Sequence, residues 1–249
     1  KNGSLWYFRY PITNSDEYIV VATTRPETML GDTAVAVHPD DERYRDFIGS
    51  NILLPLVGRT IPIVSDKFVD PEFGTGCVKV TPAHDPNDFS MGERHNLEFI
   101  NIMNEDASLN SNVPEKYQDL SREEARERVV EDLKTLGLVD KIEDYVNQVG
   151  FSERGQVPIE FYMSEQWFMK MTDLAGPALD AVKNGEITFH PKHWTKTYNH
   201  WMRNIKDWCI SRQLWWGHQI PVWYHNDDKK KIHVSVEGPA DPENWTRDK

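Results

Sequence analysis

The 249-residue chain has only two cysteines, Cys77 and Cys209, far apart and each within an apolar strand-like stretch. Such a pair makes no disulfide framework, and both are expected as buried free thiols in a reducing compartment. No apolar run approaches the ~18 residues needed to span a bilayer, so no membrane helix is expected. The opening Lys1-Asn2-Gly3-Ser4-Leu5-Trp6 lacks a leader layout, and a cytoplasmic location is expected. Positive charge is also short: 28 Lys and Arg face 40 Asp and Glu, a net charge of -12. That balance argues against non-specific wrapping of nucleic acid. It leaves room for one nucleic-acid end in a locally basic pocket. No Ser-His-Asp or Cys-His set is apparent, nor a Cys-x-x-Cys or His-x-x-x-His pair, so neither a side-chain nucleophile nor a metal is expected.

With 39% hydrophobic and 27% charged residues, the composition is that of an ordinary globular protein. Its organising stretch runs from Gly74 to Asp88, Gly-Thr-Gly-Cys-Val-Lys-Val-Thr-Pro-Ala-His-Asp-Pro-Asn-Asp. Strand alternation over Cys77–Thr81 sends Lys79 and Thr81 to one face and Val78 and Val80 to the other. A turn bearing His84, Asp85 and Asp88 follows. The stretch reads as a pocket wall, or as an edge strand with a solvated face and an Asp-capped helix. A second polar cluster runs from Thr23 through Thr24, Arg25, Pro26, Glu27 and Thr28 to Asp32. Pro26 ends a strand, and a helical turn from it would aim backbone N–H groups and the Thr28 hydroxyl at an adjacent cavity. The alternative is a capped turn with Arg25 paired to Glu27 on the surface.

Strands are expected at Leu5–Tyr10 and Tyr18–Thr23 as a hairpin, at Ala34–His38, and twice between Asn51 and Val64, broken at Gly58. Such short strands favour a small barrel or sandwich. Helices are expected from His38, over Asp85–Asn96, and over Arg122–Leu136, where Ser121 and Glu124 form a capping box and the helix reads as scaffold without chemistry. A strand is expected at Glu98–Met103, and Lys141–Met163 reads as strand-like. Thr172–Lys183 and His193–Ile205 read as helices and Trp208–Gln213 as a strand. The charged tail from His225 is expected to be loose. The texture changes at His190, giving expected domains of 1–189 and 190–249.

Three motifs occur in register: Thr23-Thr-Arg-Pro-Glu-Thr28, Gly74 to Asp85, and Asp207-Trp-Cys-Ile-Ser-Arg-Gln-Leu-Trp-Trp-Gly-His218. On them the chain resembles the editing (CP1) insertion of class I aminoacyl-tRNA synthetases for branched aliphatic amino acids, most nearly the valine branch. The resemblance implies an α+β fold, a distorted β-barrel core with flanking helices, plus a C-terminal segment returning toward a Rossmann catalytic domain. The family's nucleotide-activating signatures, His-Ile-Gly-His and Lys-Met-Ser-Lys-Ser, do not occur in this sequence. The resemblance therefore implies no cofactor here, ATP being used only by the full-length enzyme, and no amino-acid activation. Some relatives carry Cys-x-x-Cys at two places where this chain has Phe151 with Arg154 and His225 with Asp228, so it implies no zinc.

The implied activity is proofreading: hydrolysis of threonine from the acceptor end of tRNA(Val), with the rest of the synthetase in cis as a further partner. A site shaped for valine cannot strongly reject threonine, a limit known from the valine enzymes themselves. The family assigns Asp85 to the substrate ammonium. It places Asp88, assisted by Lys79 and Thr81, at the threonine hydroxyl. Arg25 and Thr28, flanked by Thr23 and Thr24, would orient the ester, helped by backbone N–H groups after Pro26. Phe73 would stack on the terminal adenine. His84 reads as turn-structuring rather than as a base. A non-catalytic module docking a tRNA acceptor end is the alternative.

Overall fold

The computed structural model describes residues 2–153, 155–212, 214 and 216–248. They form two compact units, Lys1–Met163 and Ser164–Lys249, so the division falls before the expected boundary at His190.

The first unit opens with the hairpin β1 (Asn2–Pro11) and β2 (Tyr18–Thr23). Every second residue of β2 is buried, as alternation requires. Three short strands follow, β3 (Ala34–Val37), β4 (Asn51–Leu53) and β5 (Thr60–Ser65), and then β6 (Cys77–Val80). Helix α1 (Pro86–His95) starts at an Asp85 cap and ends at Asn96 in the left-handed conformation, φ 51°. Helix α2 (Arg122–Thr135) carries the expected capping box, with Ser121 and Glu124 each bonding the other's backbone N–H. Strand β7 (Val139–Val146) then returns to pair with β1.

These strands make two sheets, β2-β1-β7 and β4-β5-β3-β6, in which only β3 and β5 run parallel. One core fills the space between them. Phe8, Tyr10, Ile19 and Val21 of the hairpin meet Val35, Ile61 and Ile63, and α2 adds Ala125, Val129 and Leu133. A bridge from Ile12 to Ile52 joins the sheets at one edge. At the other, β2 packs against β6 with no ladder between them among the described residues. The expected barrel is thus corrected to two sheets about a shared core. Closure needs a stagger of register carried round the whole ring, and here Pro26 turns the chain out of β2 while β6 is only four residues long. The unladdered seam is where the candidate site lies.

Other expectations fail for local reasons. The helix expected from His38 is a run of turns with a 3-10 piece at Arg45–Phe47, because Asp41 captures the Arg43 backbone N–H at 3.0 Å. The strand expected at Glu98–Met103 reduces to one bridge, Met103 to Leu109. Side chains occupy the backbone groups a ladder would use: Asn110 donates to the Asn101 and Met103 carbonyls. Among the described residues from Asn147 to Met163 there is no strand, and the one bridge joins Phe151 and Pro158.

The second unit holds β8 (Phe168–Met169) paired with β9 (Trp208–Cys209), and helices α3 (Thr172–Lys183) and α4 (Trp194–Arg203). The strand expected to reach Gln213 stops at Cys209; Gln213 itself lies outside the described residues. The tail is not loose. β10 (Val222–His225) is flanked by β11 (Ile232–Val234) and β12 (Trp245–Arg247) in an antiparallel sheet. No helix is long and apolar enough to cross a membrane among the described residues.

Candidate active site

The seam between β2 and β6 encloses a cavity of about 280 Å³. All nine residues singled out from the sequence line it: Thr23, Thr24, Arg25, Thr28, Phe73, Lys79, Thr81, Asp85 and Asp88. Leu5, Ala22, Val78 and Tyr145 add apolar surface.

The inner wall is a buried polar network. Pro26 opens a fully buried 3-10 turn, Pro26–Gly31, that delivers Thr28 and Asp32 to the cavity side of the core. Lys79 projects from β6 with only 9% of its surface exposed. Its ammonium donates to Thr28 Oγ1 at 2.8 Å, Thr81 Oγ1 at 2.6 Å and Asp32 Oδ1 at 3.3 Å. These contacts use all three of its protons. Asp32, wholly buried, also accepts from the Thr81 hydroxyl at 2.6 Å and from the Tyr10 hydroxyl at 2.8 Å. Burial raises the Asp32 pKa, opposed by the Lys79 charge and by these hydroxyls. The protons of both threonines point inward, since Thr28 Oγ1 donates to the Arg25 carbonyl at 2.9 Å. Their remaining lone pairs are acceptors only.

Helix α1 supplies the two acids at its first turn. Asp85 Oδ1 caps the helix, accepting from the N–H groups of Asn87 at 2.8 Å and Asp88 at 3.3 Å; Oδ2 takes no part in the cap. Asp88 Oδ2 accepts the Thr81 N–H at 2.8 Å. Burial pushes the Asp88 carboxyl up to about 6, against the pull of the Lys79 charge.

His84 is buried and saturated. Its Nε2 accepts the Ile102 N–H at 3.0 Å, which leaves Nδ1 to donate to the Phe161 carbonyl at 3.2 Å. Burial lowers its pKa to about 4. It is a neutral strut with no free nitrogen for base catalysis. Cys77 is no nucleophile, since burial pushes its thiol up to about 12. Cys209 is half-buried rather than buried.

The outer wall is more open. Phe73 is 61% exposed at the rim. Its loop needs Gly76, where φ is +75° and an added Cβ would lie 3.0 Å from the Pro71 carbonyl. Arg25 Nη1 donates to the His84 carbonyl at 2.9 Å, and Nη2 pairs with Glu160. Arg25 is therefore not the partner of a surface Glu27: Glu27 is buried and forms a two-armed pair with Arg126 at 2.7 and 2.8 Å. One expectation is corrected here. The Thr28 N–H is taken by the Arg25 carbonyl at 3.1 Å and is not offered to the cavity.

Sequence reasoning missed Tyr10, Asp32, Glu160 and the arginines of α2. Asp32 had a signal: a lysine on a buried face needs an acid nearby, and Asp32 closed the same polar cluster. The others are distant in sequence and carried none. No group of three His, Cys, Asp or Glu placed to hold a metal occurs among the described residues.

The cavity thus pairs a polar inner wall with the Arg25 guanidinium and the Asp85 carboxylate. A family model described as tRNA synthetases class I (I, L, M and V) matches residues 16–244, and the chain belongs to that family. Among its relatives are the valine–tRNA ligase of Thermotoga maritima, 60% identical over 225 residues, covering 90% of this chain and 26% of that protein. That of Anoxybacillus flavithermus is 54% identical over 247 residues, 99% of this chain and 28% of that protein. The chain thus spans about a quarter of the length of these relatives. A solved structure described as GlLeuRS-CP1 overlaps 58% of this chain and all of that one, at TM-score 0.45 and 12% identity.

Proposed function

We propose that this chain is the proofreading module of a valine-charging synthetase, hydrolysing the ester of threonyl-tRNA(Val). The observation that carries the reading is the convergence of the nine residues on one cavity. The family membership and the valine–tRNA ligase relatives support tRNA as the partner.

In this reading Asp85 Oδ2 receives the substrate ammonium, a charge-assisted bond beside the start of α1. The threonine hydroxyl donates to Asp88, beside the Thr81 lone pair. A valine methyl there would leave a buried acceptor unpaired, a cost of ~1–3 kcal/mol, so the correct product is spared. Lys79 contacts no substrate in this scheme. It holds Thr28 and Thr81 with their acceptor sides to the cavity. Arg25 orients the ester carbonyl and supports the oxyanion. Phe73 stacks on the terminal adenine, a contact indifferent to the rest of the tRNA sequence.

With no side-chain nucleophile at hand, water is the attacking group. Its oxygen bonds to the ester carbon and the carbon–oxygen bond to the ribose breaks. The ribose oxygen takes a proton, and threonine leaves as the free acid. The remainder of the synthetase would hold the body of the tRNA, which an acidic chain grips weakly by itself.

The test is deacylation of threonyl-tRNA(Val) by the chain, with free and with acetylated α-amine. The expected result is hydrolysis of the free amine only. Asp85→Asn, which keeps the helix cap, should lose most of the rate. Equal hydrolysis of the acetylated ester would remove Asp85 from the site.

A further inference from the structure

Arg25 is boxed in by three groups, of which Glu160 lies outside every motif singled out in the sequence. Besides the His84 carbonyl and Glu160, its buried Nε has no hydrogen-bond partner and lies 3.9 Å from Glu27 Oε1. Neither carboxylate belongs to Arg25 alone. The second oxygen of Glu160 pairs with Arg122, and Glu27 is held by both arms of Arg126. Arg122 and Arg126 are four residues apart and so share one face of α2. The segment bearing Glu160 is anchored too. The Phe161 carbonyl accepts from His84, and the Ile159 N–H donates to the Gly150 carbonyl at 2.9 Å. A second cavity, about 340 Å³, lies on this side and shares Thr24, Arg25, Asp85 and Asn147 with the first. Arg25 is therefore a wall common to both, and Glu160 is paired to it from the side of the second cavity.

We infer that Glu160, backed by Arg122, is a positioning residue for Arg25 in the hydrolysis proposed above, and the inference rests on that reading. A guanidinium carries five N–H donors. One goes to His84 and one to Glu160, so each Nη keeps a donor for the ester. A loose arginine side chain keeps considerable rotamer entropy. Clamping it before the substrate arrives removes that loss from the reacting complex. Sharing Glu160 with Arg122 keeps the carboxylate from claiming the whole Arg25 charge. The helix read as scaffold thereby reaches the chemistry through two ion pairs.

Glu160→Gln keeps size and removes the charge. In steady-state deacylation of threonyl-tRNA(Val), kcat should fall at least about tenfold while KM stays within about twofold. Thermal unfolding should stay close to that of the parent, and Arg122→Ala should move kcat the same way. In an Arg25→Ala background, Glu160→Gln should change nothing further, because Glu160 acts through Arg25. A faster Glu160→Gln enzyme would overturn the inference, making the carboxylate an obstruction. An equal loss in the Arg25→Ala background would overturn it too. A readout independent of activity is phenylglyoxal labelling of Arg25 followed by mass spectrometry. The clamp predicts several-fold faster labelling in Glu160→Gln, and equal labelling would refute it. If labelling differs but the parent chain hydrolyses nothing, only the hydrolytic reading falls.

Discussion

The two walls of the cavity are built on opposite plans. The inner wall is Lys79, Asp32, Thr81, Thr28 and Tyr10, all buried on or directly beside β1, β6 and the turn from Pro26, and each side-chain polar atom in it is bonded to another. The outer wall is Arg25 and Phe73, both partly exposed, with Arg25 held from behind by an ion pair to Glu160, 135 residues away in sequence. A buried network is all-or-none, because one missing member orphans the rest. An exposed ion pair contributes little to stability. The inner wall should therefore govern folding and the choice between hydroxyl and methyl. The outer wall should govern orientation and binding without moving stability much.

The comparison breaks first at Asp32. Asp32→Ala leaves the Lys79 ammonium buried without its counterion, a loss of ~3–5 kcal/mol. For a chain of this size the unfolding temperature should fall by roughly 10 °C. An unchanged midpoint would mean that the inner wall is not a network.

Asp88 offers the next largest effect, with a sign that depends on pH. Its folded pKa of about 6 stands above the ordinary 3.8. The folded state therefore holds the proton more tightly, and ionisation costs stability as pH rises from about 4 through about 6. The penalty is full above that window and absent below it. Each tenfold gain in proton affinity on folding corresponds to ~1.4 kcal/mol, so Asp88→Asn should be more stable than the parent at pH 8, by up to ~2–3 kcal/mol. The two should converge near pH 4 in calorimetry. Deacylation should rise through about pH 6 in the parent, as the carboxylate becomes an acceptor, and Asp88→Asn should lack that step.

Phe73→Ala tests the outer wall. Loss of one stacked base costs ~1–3 kcal/mol. It should appear in KM for threonyl-tRNA with kcat and the unfolding midpoint nearly unchanged. A drop in midpoint would place Phe73 in the core instead of at the rim. The smallest effect is expected at the scaffold: Ser121→Ala removes one half of a capping box, ~0.5–2 kcal/mol, seen in thermal unfolding and not in the deacylation rate.

Legibility in the sequence followed the same division. The motifs Thr23–Thr28 and Gly74–Asp88 fall on one strand end, one turn and one helix start, so local pattern placed Lys79, Thr81, Asp85 and Asp88 on the faces they occupy. The hairpin and α2 were readable because alternation and a capping box are local signals. What pairs at long range was not. Glu160 lies 135 residues from Arg25, and Arg126 lies 99 from Glu27. No spacing rule links such pairs. The seam between β2 and β6 was equally hidden, because ladder formation depends on both partners. The tail from His225 was misjudged because its charged residues masked two short strands, β11 and β12, which flank β10 and pack His225 and His233 against Trp245.

The most direct measurement is a ratio: the rate at which the chain deacylates threonyl-tRNA(Val) over valyl-tRNA(Val), for the parent and for Asp88→Ala. The account predicts a strong preference for the threonyl ester in the parent and its collapse toward parity in Asp88→Ala. A preference of the same size in both proteins would contradict it.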